Sequence, residues 1–205
     1  MNYSHEYLYL KNYTMSKTKT ILLLLTFSLS SFLVSTAQIT LNEVTLPAKI
    51  KQETTELVLN GGGIRTKLFF KLYVAGLYVP VKSKSGNEIV NADKPTAIRL
   101  TITSGMVDSE KMSEAIQEGF KTSMKGNTAP LQTKITEFIN TFKKEAIKEK
   151  DVFEIWYFPG VGVKSYKNGS LKSTIAGLDF KKALFGIWLS DTPVDDDLKE
   201  GLLGQ

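Results

Sequence analysis

The sequence contains no cysteine and a single histidine, His5. Because His5 lies in a segment that we predict to be removed, we expect no Ser-His-Asp or Cys-His centre and no zinc site built from nitrogen and sulfur ligands. General acid–base chemistry would fall to aspartate, glutamate, lysine or tyrosine. No disulfide can form, so the hydrophobic core alone must stabilise the fold.

Arginine is also scarce, since Arg65 and Arg99 are the only two in the chain, and the formal net charge is a mild +5. Proteins that bind nucleic-acid phosphates generally carry more arginines and a stronger positive charge. We therefore expect no nucleic-acid partner. No motif indicates a cofactor.

Long apolar runs are limited to residues 21–34, and the second half of that run contains three serines. A membrane-spanning helix needs about 20 predominantly apolar residues. Two lysines precede the run and Ser-Thr-Ala follows it at 35–37, which is typical of a cleavable secretory signal. We predict a signal over residues 1–37, export to a periplasm or out of the cell, and no stable membrane span after cleavage. Met15 is an alternative start.

Residues 38–205 contain no repeat, low-complexity stretch or proline- and serine-rich linker, so we interpret them as one domain. Alternation and β-branched or aromatic content predict strands, at 39–46, 57–60, 66–81 (continuous, or bent at Gly76), 97–103, 152–158, and in a hairpin of 161–166 and 171–175 around Asn168-Gly169. Helical spacing and capping signals predict helices, at 109–125, from Pro130 through Phe142, at 180–188, and from Thr192-Pro193 to Leu203. This order predicts an α+β fold with a mostly antiparallel sheet covered by helices on one face.

Three segments together resemble the chalcone isomerase-like family. They are LNGGGIRTKLFFKLYVAGLY at 59–78, the hairpin at Asn168-Gly169-Ser170, and the C-terminal ALFGIWLSDTPVDDDLKEGLLG. The resemblance covers about residues 40–205. It implies an open-faced β-sandwich, in which a large antiparallel sheet is covered by a layer of helices with a ligand cleft between them.

The resemblance also implies a site. The family includes enzymes that close a chalcone into a flavanone and non-catalytic members that bind fatty acids. Arg65 matches the arginine that holds an oxyanion or a fatty-acid carboxylate, and Tyr73 matches a tyrosine of the fatty-acid-binding members. The catalytic tyrosine and asparagine of the plant enzymes correspond to Asp108 and Ala115, so the resemblance favours binding without isomerase activity.

The residues themselves support the same site. A buried arginine is unfavourable unless it is paired, and its planar fork suits a carboxylate from the protein or from a ligand. Residues 65 and 73 are eight apart, so one unbroken strand would place both on one face, with Tyr78 on the other unless Gly76 carries a bulge. An exposed or internally paired arginine is the structural alternative. Candidate pocket-lining residues, which could equally be plain core, are Phe69, Tyr78, Phe120, Phe138 and Trp188.

Other charged groups are expected to be structural. Arg99 lies on an alternating strand and is expected to face solvent. The acids at 195–197 do not converge on a helix, so we expect them to favour the helix dipole and to bind no metal.

Three functions remain open at this point. They are an exported carrier of a fatty acid or similar apolar carboxylate, an intramolecular lyase acting on an unsaturated ketone, and a protein-interaction module of the cell envelope.

Overall fold

A computed structural model of the protein describes residues 38–205, which form one compact unit. The signal predicted at residues 1–37 and the alternative start at Met15 lie outside the described residues. Within 38–205, no helix has the length and apolar character needed to cross a bilayer.

The centre of the fold is a seven-stranded antiparallel sheet whose strands lie side by side in chain order. A separate two-stranded hairpin precedes it. The hairpin consists of β1 (Ile39–Leu41) and β2 (Val44–Leu46); the sheet consists of β3 (Lys49–Gln52), β4 (Thr55–Lys67), β5 (Phe70–Val79), β6 (Thr96–Ile102), β7 (Val152–Phe158), β8 (Gly162–Lys167) and β9 (Ser170–Ile175).

Within residues 38–205, five α-helices complete the fold, and the predicted α+β class is confirmed. They are α1 (Gly86–Asn91), α2 (Ser109–Ser123), α3 (Gln132–Lys143), α4 (Leu178–Leu189) and α5 (Asp196–Leu202). A short 3₁₀ turn, Ala129–Leu131, leads into α3 and contains Pro130. The apolar stripe predicted for α3 is buried, at Ile135, Phe138, Ile139 and Phe142.

Alternation along the strands divides the buried residues into two clusters, because successive side chains point to opposite faces. The larger cluster, here called the helix-side core, joins sheet residues such as Ala75 and Ile98 to helix residues such as Phe120 and Phe180. The smaller cluster covers the other face, where Tyr78 and Trp156 pack with residues of the β1–β2 hairpin. The helices therefore cover one face, as predicted.

The glycine run at residues 61–63 lies inside β4. Gly61 and Gly63 face α5, and a Cβ added at Gly63 would lie 2.9 Å from the Leu198 side chain. These glycines therefore allow the close approach of two backbones and are not needed for a positive φ. A bulge at Asn60 precedes them and moves the odd-numbered residues of β4 from the outer face to the helix face.

Two predicted strands are hairpins. The segment 39–46 turns at Asn42-Glu43, and the segment 66–81 turns at Leu68-Phe69 rather than bending at Gly76. All four turn residues have positive φ, which non-glycine residues seldom adopt. Aromatic and β-branched composition could not reveal these turns, because neither contains a glycine or a proline.

One helix starts where it was predicted and another does not. The helix α2 begins at Ser109, and Asp108 caps it by accepting a hydrogen bond from the Lys111 N–H at 2.8 Å. The last helix begins at Asp196 with Asp195 as its cap, not at Thr192-Pro193. The helix α1 lies in the polar segment between the predicted strands at 66–81 and 97–103, where no helix was predicted.

Candidate anion-binding site

Arg65 and Tyr73 lie side by side on neighbouring strands. Arg65 is near the end of β4, Tyr73 is near the start of β5, and the two are direct partners in the antiparallel register. Directly opposed residues project to the same face of a sheet. The expectation of a shared face is therefore met through cross-strand pairing, not through one continuous strand. That face is the helix side, because Tyr73 packs against the helix-side core.

The Arg65 guanidinium is held by the cap of α5. Its Nη1 donates to Asp195 Oδ2 at 3.0 Å and to the Thr66 carbonyl at 2.5 Å. Asp195 Oδ2 also accepts from the Thr66 N–H at 3.2 Å, and Oδ1 accepts from the Leu198 N–H at 3.0 Å. The Arg65 and Asp195 side chains are only 19% and 12% exposed. Arg65 is thus the internally paired arginine of the structural alternative.

Tyr73 is positioned by the helix layer. The indole Nε1–H of Trp188, on α4, donates to the Tyr73 hydroxyl oxygen at 3.1 Å. Burial raises the pKa of Tyr73, and the smaller opposing effects come from the Trp188 hydrogen bond and the nearby Arg65 charge. The hydroxyl is therefore protonated at neutral pH, so Tyr73 is a hydrogen-bond donor and a poor general base.

Two sets of donors at this site are unused within residues 38–205. Both recorded hydrogen bonds of the guanidinium come from Nη1, whereas Nε and Nη2 make none there. The Tyr73 hydroxyl accepts from Trp188 but its own proton meets no acceptor among the described residues. An arginine fork with open positions beside a neutral phenol is suited to a carboxylate or another oxyanion.

The candidate pocket-lining residues separate into three groups. Phe69 is at the β4–β5 turn and is 98% exposed, while Tyr78 lies on the opposite face and donates its hydroxyl to the Pro47 carbonyl. Phe120 and Phe138 are fully buried in the helix-side core, with ring centroids 6.2 Å apart. Only Trp188 contacts the site directly. Phe69 and Tyr78 are therefore not on the side of the sheet where the cleft was expected.

The important residue that the sequence analysis did not place at the site is Asp195. It was assigned to the first turn of a helix, which is close to its capping role, but its contact with Arg65 joins residues 130 positions apart. A paired arginine needs some acid, and nothing in the sequence distinguishes Asp195 from the other acids for that role.

The other arginine provides a useful contrast. Arg99 pairs with Glu154 across β6 and β7, and Glu154 also accepts from the Trp156 indole at 3.2 Å. The Arg99 side chain is 28% exposed, so it is partly buried rather than solvent-facing, and it shares the outer face of the sheet with Ala97. Both arginines are thus paired with carboxylates, one on each face of the sheet.

A small cavity lies at a different place, between α3 and strands β7 to β9. Its volume is about 10 Å³, and Phe142, Phe153 and Lys167 are among its lining residues. This is space for about one water molecule. It is too small for an organic ligand. The acids at 195–197 form no metal cluster, and none is found elsewhere in the described part of the chain.

Comparison with known proteins gives these observations a family context. Residues 38–204 match the profile of a family described as chalcone isomerase-like. The chain belongs to the chalcone isomerase-like family. No curated protein matches the sequence.

A solved structure supports the fold of the chalcone isomerase-like chain. The Arabidopsis thaliana fatty-acid binding protein AtFAP1 is similar with a TM-score of 0.65 and 17% sequence identity, over 82% of this chain and 96% of that one. At this identity the likeness shows the fold alone. The predicted fold, a chalcone isomerase-like arrangement of a large antiparallel sheet and a helix layer, is confirmed.

The two positions aligned with the catalytic pair of plant chalcone isomerases have structural surroundings here. Asp108 is exposed and caps α2, and its N-cap hydrogen bond from the Lys111 N–H lowers the pKa of its carboxyl. Ala115 is on the exposed side of α2. Neither is recorded in contact with Arg65 or Tyr73.

Proposed function

We propose that this chalcone isomerase-like domain binds a fatty acid or a similar apolar carboxylate, with Arg65 and Tyr73 holding the head group. The observation that carries the proposal is the pair of unused donors, Nη2 of Arg65 and the Tyr73 hydroxyl, on adjacent strands at one face of the sheet. The apolar part of the ligand would lie against Trp188 and the helix-side core to which Trp188 belongs. The Arabidopsis thaliana neighbour AtFAP1 is a fatty-acid binding protein.

Asp195 shapes this binding in two ways. Its contact with Nη1 orients the guanidinium, so Nε and Nη2 are held in place before a ligand arrives. The same contact neutralises Arg65, so a ligand carboxylate gains less electrostatic energy than it would from an unpaired arginine. We therefore propose that the apolar tail supplies most of the affinity, at about 0.8 kcal/mol per buried methylene, and that the head-group contacts supply selectivity.

We further propose that the domain is exported and non-catalytic. Residues 1–37 have the composition of a secretory signal, and Tyr73 has the protonation state of a donor rather than a base. Mass spectrometry of the exported chain should give a first residue at Gln38. Chalcone incubated with the protein should cyclise at its spontaneous rate, and turnover above that rate would support the lyase alternative instead.

The binding proposal can be tested with delipidated full-length protein and palmitate, by calorimetry and native mass spectrometry. Arg65→Ala should weaken palmitate binding about 10- to 100-fold, because a hydrogen bond to a charged group contributes about 1.5–3 kcal/mol. Tyr73→Phe should weaken it less, since it removes a neutral donor. The wild type should prefer palmitate to hexadecanol, and Arg65→Ala should lose that preference.

Arg99→Ala is the matched control, because it also removes an arginine paired with a partly buried carboxylate, but on the opposite face. It should leave palmitate affinity unchanged within about twofold. The apolar residues 21–34 are common to all variants, so any uptake by them cancels in the comparison. Equal palmitate affinity in Arg65→Ala and wild type would contradict the proposal.

Two observations favour a second candidate function, an interaction module of the cell envelope. The Asp195 carboxylate already binds Nη1 of Arg65. In addition, Phe120, Phe138 and Phe180 contact one another and fill the space between the sheet and the helices. A protein that takes up neither palmitate nor shorter carboxylates, in any variant, would support this function over the carrier.

A further inference from the structure

The turn between β4 and β5 exposes three consecutive apolar side chains. Leu68 is 77% exposed, Phe69 is 98% exposed and Phe70 is 52% exposed. We call residues 68–70 the apolar tip. Single exposed apolar residues are ordinary on protein surfaces, but a contiguous group at the end of a projecting hairpin is a feature of binding surfaces.

The backbone of the apolar tip makes these residues more unusual. Lys67 pairs with Phe70 across the hairpin, so Leu68 and Phe69 form a two-residue turn with φ of 48° and 70°. Such turns strongly prefer Asn-Gly, because both positions require positive φ. The hairpin between β8 and β9 contains such an Asn-Gly turn, in which φ is 50° at Asn168 and 79° at Gly169. The chain thus uses the favourable pair in the β8–β9 hairpin and a strained, bulky, apolar pair in the β4–β5 hairpin.

Strain of this kind, retained together with exposed apolar surface, indicates a function for the side chains rather than for the turn. Lysines flank the tip on both sides, and Lys67 and Lys71 are both exposed. The nearest recorded acid contact is that of Asp195 with the Thr66 N–H, and Asp195 is already paired with Arg65. The tip therefore combines leucine and phenylalanine with a basic border.

A fourth exposed apolar residue, Met106, belongs to a loop at the same end of the sheet. The segment that leads to it leaves β6 beside the start of β5, where the Thr103 N–H donates to the Leu72 carbonyl at 3.0 Å. Two neighbouring loops at this end of the sheet thus present apolar side chains to solvent.

We propose that the apolar tip inserts into the surface of an anionic lipid bilayer. Phenylalanine and leucine bordered by lysines are the chemistry of an interfacial anchor, in which the apolar groups enter the acyl boundary and the ammonium groups remain at the anionic head groups. A stable protein partner would need about 800 Å² from this chain, which a three-residue projection does not offer. The proposal does not depend on carboxylate binding, although docking there would place Arg65, three residues from Leu68, next to the lipid.

A tryptophan in the tip tests insertion directly. Phe69→Trp in the full-length chain should show a blue-shifted emission with vesicles of equal phosphatidylcholine and phosphatidylglycerol, and brominated lipid should quench it. Val161→Trp is the matched control, because Val161 is an exposed apolar residue in the β7–β8 turn at the opposite end of the sheet. It should show neither change. The native tryptophans Trp156 and Trp188 are buried, so their emission is a constant background.

A second variant separates loss of binding from loss of folding. Leu68→Asn with Phe69→Gly copies the Asn168-Gly169 turn, so its Tm should equal or exceed that of wild type. Its partition onto the same vesicles should fall at least tenfold, because full burial of either apolar side chain changes a partition coefficient by more than tenfold. Lys67→Gln and Lys71→Gln should each reduce partition about fivefold on the mixed vesicles and leave it unchanged on pure phosphatidylcholine.

The outcomes distinguish the membrane from other partners and from the carboxylate site. Arg65→Ala should retain vesicle binding, so a failure of palmitate binding leaves the membrane proposal intact. Vesicle partition that is the same in the Asn-Gly variant and in wild type would overturn it. A blue shift of Phe69→Trp that grows with protein concentration in the absence of vesicles would overturn it in favour of a second copy of the chain.

Discussion

Replacing Lys181 with alanine is expected to lower the free energy of unfolding by about 4 kcal/mol. Lys181 lies on α4 with no solvent exposure, and its ammonium donates to three carbonyls at the end of α1, those of Ile89, Val90 and Ala92, at 2.5 to 2.9 Å. Removing it leaves helix-terminal carbonyls without partners and a cavity next to the Tyr157 and Phe185 rings.

Chemical denaturation of two further variants shows how much of this loss of stability comes from the ammonium group and how much from the side-chain volume. Lys181→Met keeps most of the volume and should lose about half as much stability as Lys181→Ala. Lys182→Ala removes the neighbouring, half-exposed lysine and should change stability by less than about 0.5 kcal/mol. If Lys181→Ala is no less stable than Lys182→Ala, the buried ammonium is not a structural cap.

The same residue gives a pH dependence. Burial lowers the pKa of Lys181 to about 8, well below the value of about 10.4 for an unfolded lysine. Between these values the unfolded state binds more protons than the folded state, so stability rises with pH. The stability of wild type relative to Lys181→Met should therefore be constant below pH 7 and increase from about pH 8 to pH 10.

Replacing Gly61 with alanine is expected to destabilise the protein by about 3 kcal/mol. An added Cβ would lie 2.7 Å from the Leu202 carbonyl oxygen and 2.8 Å from the Gly204 nitrogen, and would overlap the Gly201 carbonyl oxygen. All three are backbone atoms, so no change of rotamer can relieve the overlap. The C-terminal helix α5 must move away from β4.

Gly105→Ala is the control for this change, because an added Cβ there meets nothing within 4 Å. It should be neutral or slightly stabilising. Because α5 carries Asp195 to Arg65, Gly61→Ala should also release that ion pair. Thermal unfolding measures the stability, and hydrogen exchange at residues 196–202 reports the displacement of α5. Unfolding of Gly61→Ala at the wild-type temperature would show that the close approach is not required.

Local signals predicted much of the fold correctly. The helical stripe over Ile135 to Phe142 and the Asn168-Gly169 turn both follow from short-range preferences that the tertiary structure reinforces. The turns at Asn42-Glu43 and Leu68-Phe69 were missed, because their residues violate the usual preference for glycine at positive φ.

The sequence by itself determined the chemistry that is available to this protein. Without cysteine, and with its one histidine in the predicted signal, it excluded the usual nucleophilic and zinc centres, and the family motif singled out Arg65 and Tyr73 as the candidate anion site. Which groups meet was decided by tertiary structure alone. The bulge at Asn60 sets the face on which Arg65 lies, the hairpin at Leu68-Phe69 makes Arg65 and Tyr73 partners, and close packing of α5 on Gly61 brings Asp195 across 130 residues. Such contacts depend on register and backbone approach, and neither is encoded in the local order of residues.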